Sequence, residues 1–215
     1  MKQVKSICTA VAIILVIVFS FDSVAQMNTK MEMNSSSDAA NELRTNMRKL
    51  WEDHITWTRN VICCLVDNLP GTDQAVKRLL KNQDDIGNAI KPVYGANAGN
   101  KLTTLLHDHI TISADVVKAA KASDNAALAA ANKKWFANAD EISAFLSKAN
   151  PNWKLDDMKK MMHDHLQLTT DEAVARIKKD YNADIVAYDK VHNEILMMAD
   201  ILTDGIVKQF PEKFK

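Results

Sequence analysis

The sequence predicts an all-α fold, a six-helix bundle made of three repeated antiparallel helical hairpins. From about position 39 to the C-terminus, apolar residues recur at three- and four-residue spacing, the period of one buried helical face. Only five Gly and four Pro occur in 215 residues, and they gather at junctions. One pattern occurs three times, as LWEDHITWT (50–58), LLHDHITIS (105–113) and MMHDHLQLT (161–169). Each copy has two bulky apolar residues, a variable one, Asp-His, an aliphatic, a variable residue, a large apolar residue and a hydroxyl. The copies are 55 and 56 residues apart, and self-similarity at one period marks a duplicated supersecondary unit.

Residues 1–25 form a predicted signal peptide. Lys2 and Lys5 precede the apolar run Ile7–Phe21, and Ser23-Val24-Ala25 ends it with small residues, the layout of a secretory leader. Cleavage after Ala25 removes Lys2, Lys5 and Asp22, leaving 25 basic and 26 acidic residues and a formal charge of −1. The expected product is periplasmic or secreted and leaves the membrane once the leader is cut. It has no basic stripe for nucleic acid. Residues 26–38 (QMNTKMEMNSSSD) read as a flexible leader, and 39–215 as the helical bundle domain.

Six helices are expected, at about 39–68, 72–92, 98–122, 124–149, 155–179 and 182–209. Pro70-Gly71 stops the first, and Thr72 or Asp73 caps the second. Pro92 and Gly95 end the second, Ser123 and Asp124 cap the fourth, Pro151 follows it, and Pro211 ends the last. The hairpin repeats are then 39–92, 98–149 and 155–209. NQDDI (82–86), NADEI (138–142) and MMADI (197–201) echo one another in the even-numbered helices.

His54, His109 and His165 lie on the apolar stripes of the odd-numbered helices and face inward by periodicity. In an antiparallel hairpin, residues equidistant from the turn share a level. By that rule His54 pairs with Asp85 about the Pro70-Gly71 turn, and His109 with Glu141 about position 125. His165 pairs with Asp200 about the Asp180-Tyr181-Asn182 break. Packing around a pseudo-threefold axis would gather three imidazoles and three carboxylates into one layer. Neutral imidazole suits Zn, Fe or Cu, and the carboxylates add hard-metal capacity or orient each ring. Thr58, Ser113 and Thr169, one turn on, are candidate outer partners. The alternative is a metal-free structural or protein-interaction bundle, with buried His–carboxylate hydrogen bonds copied along with the hairpin.

Asp53, Asp108 and Asp164 lie about 100° off the histidine direction and read as boundary residues. His107 and His163 read as solvent-facing, His192 as a separate polar group on a core face, and Arg59 as the partner of Asp85 or Asp200. Adjacent Cys63 and Cys64 point apart on a helix and read as small core residues rather than a disulfide. Met158, Met161, Met162 and His163 raise copper as a candidate, against ordinary core filling. Phosphate-loop, G-x-S-x-G, H-E-x-x-H and C-x-x-C-H patterns are absent, so no reaction is named.

LWEDHITWTRNVI, RLLKNQDDIGNAIKPVYG, NADEI and NPNW resemble, over nearly the whole mature chain, an uncharacterised family of exported bacterial helical-bundle proteins. Some members of that family carry a glycosyltransferase label. Nothing in this chain resembles a nucleotide-sugar site, and six helices lack the usual α/β scaffold. The histidine spacings of hemerythrin-like and ferritin-like bundles are absent too.

Overall fold

The computed structural model describes the backbone of residues 21–215, with side chains from Asp38 onward. Among the described residues there are six α-helices and no strand. They are α1 (Phe21–Asp67), α2 (Thr72–Tyr94), α3 (Ala96–Lys121), α4 (Asn125–Ala149), α5 (Leu155–Ile177) and α6 (Tyr181–Gln209), followed by a 3-10 turn at Pro211–Phe214. The ends of α2 to α6 fall within two residues of the sequence expectation. The first helix differs. Its described part runs from Phe21, so the backbone of positions 26–38, expected as a flexible leader, is helical. No Gly or Pro interrupts the stretch from Phe21 to Asp67, which leaves nothing to break the helix. The remainder of the signal segment, residues 1–20, lies outside the described residues.

The odd-numbered helices end alike, each in a left-handed residue rather than at a proline or glycine. Asn68, Ser123 and Lys179 each adopt the left-handed conformation, at φ 54°, 56° and 59°. The next residue's amide then reaches back five positions: Leu69 to the Cys64 carbonyl, Asp124 to Ala119 and Asp180 to Ala175, each at 3.0 Å. This geometry satisfies carbonyls that the helix end would orphan. The first helix therefore stops at Asn68, before Pro70-Gly71. Gly71, at φ 92°, precedes α2, and Thr72 donates to the Leu69 carbonyl instead of capping. Pro92 lies inside the last turn of α2, which Gly95 ends. Asp124 caps α4 by accepting from Ala127 N–H, and Asp180 does the same for α6 through Ala183.

Each helix packs on the next in the chain, α6 returns to α1, and α1, α3 and α5 also touch one another. The odd-numbered helices are thus brought together along the inside of the bundle. One large core, with Ile55, Leu105, Ile142, Leu166, Ile195 and Met198 among its most deeply buried members, runs through it. Burying an aliphatic side chain of that size is worth about 1.5–3 kcal/mol. α2 and α3 approach most closely at Gly87 and Gly99. A Cβ on either would stand 2.7 or 2.5 Å from the other's carbonyl oxygen, so neither position accepts a side chain.

Candidate functional site

His54, His109 and His165 converge. All three are buried, at 2–3% exposure. The rings of His54 and His165 lie 5.9 Å apart between centroids, and those of His109 and His165 lie 6.3 Å apart. All three line one apolar cavity of about 30 Å³, together with Met47, Trp51, Ile86, Leu106, Met162 and Met198 among others. Across the layer, a second apolar cavity of about 80 Å³ is lined by Thr58, Ser113 and Thr169. Those hydroxyls donate to backbone carbonyls of their own helices, those of His54, Ile110 and His165, so the outer-partner role expected of them is not what they do here.

The expected carboxylates are not the partners. Asp85 sits half-buried on its own helix, paired with Lys81. Glu141 is exposed. Asp200 is held by Arg44 and Arg48 from α1, at 3.1 and 2.8 Å, which keeps its carboxyl below the usual range. The histidines meet other side chains, each 29 residues further on. Gln83 Nε2 stands 3.2 Å from His54 Nδ1, Asn138 Oδ1 3.0 Å from His109 Nδ1, and Glu194 Oε2 2.9 Å from His165 Nδ1. Each pair is equidistant from a left-handed junction: Asn68-Leu69, Ser123-Asp124 and Lys179-Asp180. Level-counting centred between positions 69 and 70, on 125 and between 182 and 183 overshot because the chain reverses earlier.

The hydrogen-bond chemistry differs from pair to pair. Asn138 donates its amide to the Leu105 carbonyl, so its oxygen accepts from His109 Nδ1–H. Glu194 accepts from His165 Nδ1–H. On His109, which burial keeps neutral, the Asn138 bond leaves a lone pair on Nε2. Gln83 Nε2 donates to the Leu79 carbonyl and to Asn82 Oδ1, while its own buried oxygen has no partner. Turning that amide end for end gives His54 Nδ1–H an acceptor, at the expense of those two bonds. No Nε2 of the three rings has a hydrogen-bond partner among the described residues. Burial, reinforced by the neighbouring imidazoles, pushes His54 well below its ordinary value and His109 down to about 3. Both are neutral, as metal ligands must be. Among the described residues, no group of three or more His, Cys, Asp or Glu is spaced to hold a metal ion.

The remaining polar residues form separate structures. His107 bonds Asp84 and His163 bonds Asp140, both at 3.0 Å, so these rings are half-buried bridges between adjacent helices rather than free in solvent. His192 bonds Glu52 across the α1–α6 seam at 2.7 Å. Arg59 pairs with neither Asp85 nor Asp200. It takes Glu172 and Asp184 at 2.7 and 2.8 Å and stacks over Tyr188. The second oxygen of Glu172 is buried without a partner, and burial, opposed by Arg59, pushes the carboxyl up to about 7. Asp53 meets Arg78 at 3.3 Å, while Asp108 and Asp164 are exposed. Cys63 and Cys64 are free thiols and only half-buried.

Sequence reasoning missed Gln83, Asn138 and Glu194. Their steps are the same 55 and 56 residues that separate the histidines, and this was the available signal. No helix among the described residues is long and apolar enough to cross a membrane. The chain matches no protein-family model, no curated protein and no solved structure.

Proposed function

We propose that this is an exported helical-bundle protein, built from three diverged copies of one hairpin, that holds one transition-metal ion on the Nε2 atoms of His54, His109 and His165. The observation that carries the reading is three buried imidazoles that line one cavity, each meeting a side chain of a neighbouring helix through Nδ1 and none with a hydrogen bond at Nε2 among the described residues. Metal-ligating histidines are characteristically anchored through their other nitrogen in this way. Cavity size favours an ion or a water over an organic ligand. About 30 Å³ is well short of the roughly 150 Å³ that binds benzene.

A shared tetrahedral ion with bonds of about 2.1 Å brings ring centroids to roughly 5 Å, about an ångström closer than His165 stands to His54 and to His109. Binding therefore includes a small inward movement of the rings and the turn of the Gln83 amide. The triplication rests on the equal steps of the histidines, their partners and the left-handed junctions. Export rests on the basic, apolar and small-residue order of positions 1–25.

The same ring spacing favours a second reading, a metal-free bundle in which the histidines only tie the hairpins together. Thermal melts of the protein and of His109→Ala separate the two. Under the metal reading, Zn(II), Cu or Fe(II) raises the Tm of the unmutated protein, and a chelator lowers the Tm of metal-loaded material. His109→Ala responds to neither, because an ion that binds only the native state stabilises it by mass action. Melts of the unmutated protein that coincide under every metal condition would establish the metal-free bundle.

A further inference from the structure

The ring of helices closes on a second polar cluster, away from the histidine layer. Arg59 and Asp67 of α1 meet Glu172 and Arg176 of α5 and Asp184 of α6. The hydrogen bonds run among these five side chains. Two guanidiniums thus face three carboxylates, one negative charge in excess, where Glu172 and Asp184 are 0% and 1% exposed. An unbalanced buried charge is strongly disfavoured. Packing does not require it either. In the histidine register Glu172 takes the place that Val61 and Val116, both buried, fill in the other two hairpins.

The hydrogen bonds identify the group that relieves the excess. Asp184 accepts from Arg59 on both oxygens and from Arg176 on one. Asp67 accepts twice from Arg176 and is more exposed than the other two carboxylates. Glu172 accepts once, from Arg59 through Oε1, and its buried Oε2 has no hydrogen-bond partner among the described residues. Burial pushes this carboxyl up to about 7, against the pull of Arg59. The other titratable groups beside it are Cys63 of α1, whose thiol burial raises, and Tyr188 and Tyr181 of α6, whose rings stack on the two guanidiniums. α3 and α4 also pack on α5 but add no ion pair to the cluster among the described residues. We infer that the cluster is a proton-controlled latch: a proton on Glu172 closes α1 onto the α5–α6 hairpin, and its loss to solvent leaves the excess charge buried and loosens that seam. The folded chain keeps the proton up to about 7, the unfolded chain only to about 4.5. The stabilisation is therefore whole below 4.5 and is lost as pH rises through 7, opposite in sign to a histidine buried neutral.

The test is carboxyl-carbon NMR of protein labelled at glutamate, from pH 4 to pH 9, together with amide hydrogen exchange of α6 at pH 6 and pH 8. The unmutated protein is compared with Glu172→Gln, which keeps the shape of the protonated carboxyl. One glutamate signal should titrate near 7 and be missing from Glu172→Gln. Protection of the first turns of α6, corrected for the intrinsic exchange rate, should fall about tenfold from pH 6 to pH 8 relative to Glu172→Gln. Glutamate signals that all titrate near the ordinary 4.5 overturn the proton on Glu172. A signal that titrates near 7 without a loss of α6 protection, or with an equal loss in Glu172→Gln, overturns the latch. Should Glu172→Gln not fold, the carboxyl titration and the change in α6 protection of the unmutated protein decide by themselves.

Discussion

Burial makes His109 a very weak base, and this gives the histidine layer a pH signature. Folded, it titrates at about 3, against about 6.5 when unfolded. Between those values the unfolded chain binds more protons, so stability rises with pH. The contribution of His109 is complete above about 6.5 and is lost as pH falls toward 3, at about 1.4 kcal/mol per pH unit. His54 is displaced in the same direction and steepens the fall. Urea unfolding of metal-free protein between pH 7 and pH 5 should show it, and His109→Gln should flatten the slope by about one histidine's share. Identical slopes would mean that the ring is not kept neutral by burial. The three histidines were legible because each interrupts an apolar stripe with the same polar residue. Their partners were less so, since Gln83, Asn138 and Glu194 keep the repeat's steps but are three different residue types, two amides and a carboxylate.

At the scale of the element, the helix ends were legible to within two residues beyond α1, because Asp124, Asp180 and Gly95 carry recognisable cap and stop chemistry. The point of chain reversal was not. It falls on Asn68, Ser123 and Lys179, and of these only Asn readily adopts positive φ, so the second and third reversals carried no local sign. The error grew along the chain and moved the expected partner from Gln83 to Asp85 but from Glu194 to Asp200, almost two turns away. Lys179 is exposed and gains nothing from its left-handed backbone. Lys179→Gly should therefore stabilise by roughly 0.5–1 kcal/mol, whereas glycine at exposed Lys118, inside α3, should cost about 1 kcal/mol. Chemical unfolding decides it: a loss at both positions would contradict the assigned helix end.

Across the whole molecule, closure of the ring brings the three histidines together. α1 is fixed to α6 by Arg44 and Arg48 on Asp200 and by Glu52 on His192, and to α5 and α6 by Arg59 on Glu172 and Asp184. The sequence pattern placed each histidine at one level of its hairpin, and periodicity turned it inward. Convergence needed α6 to return to α1, which no local signal encodes. Two of the seam residues also break the repeat: in the histidine register Arg59 aligns with Ala114 and Thr170, and Glu172 with Val61 and Val116.

The central claim is that the three buried rings bind one ion through Nε2. It is tested most directly by long-range nitrogen–proton NMR of protein labelled at histidine nitrogen, recorded during titration with one equivalent of Cu(I) and then of Zn(II). The account predicts that the Nε2 signals of His54, His109 and His165 shift together and saturate at one ion per chain. Those of His107, His163 and His192, each already bonded to a carboxylate through Nε2, should stay in place. Shifts confined to the three outer histidines, or no shift at the inner three with either ion, would contradict it.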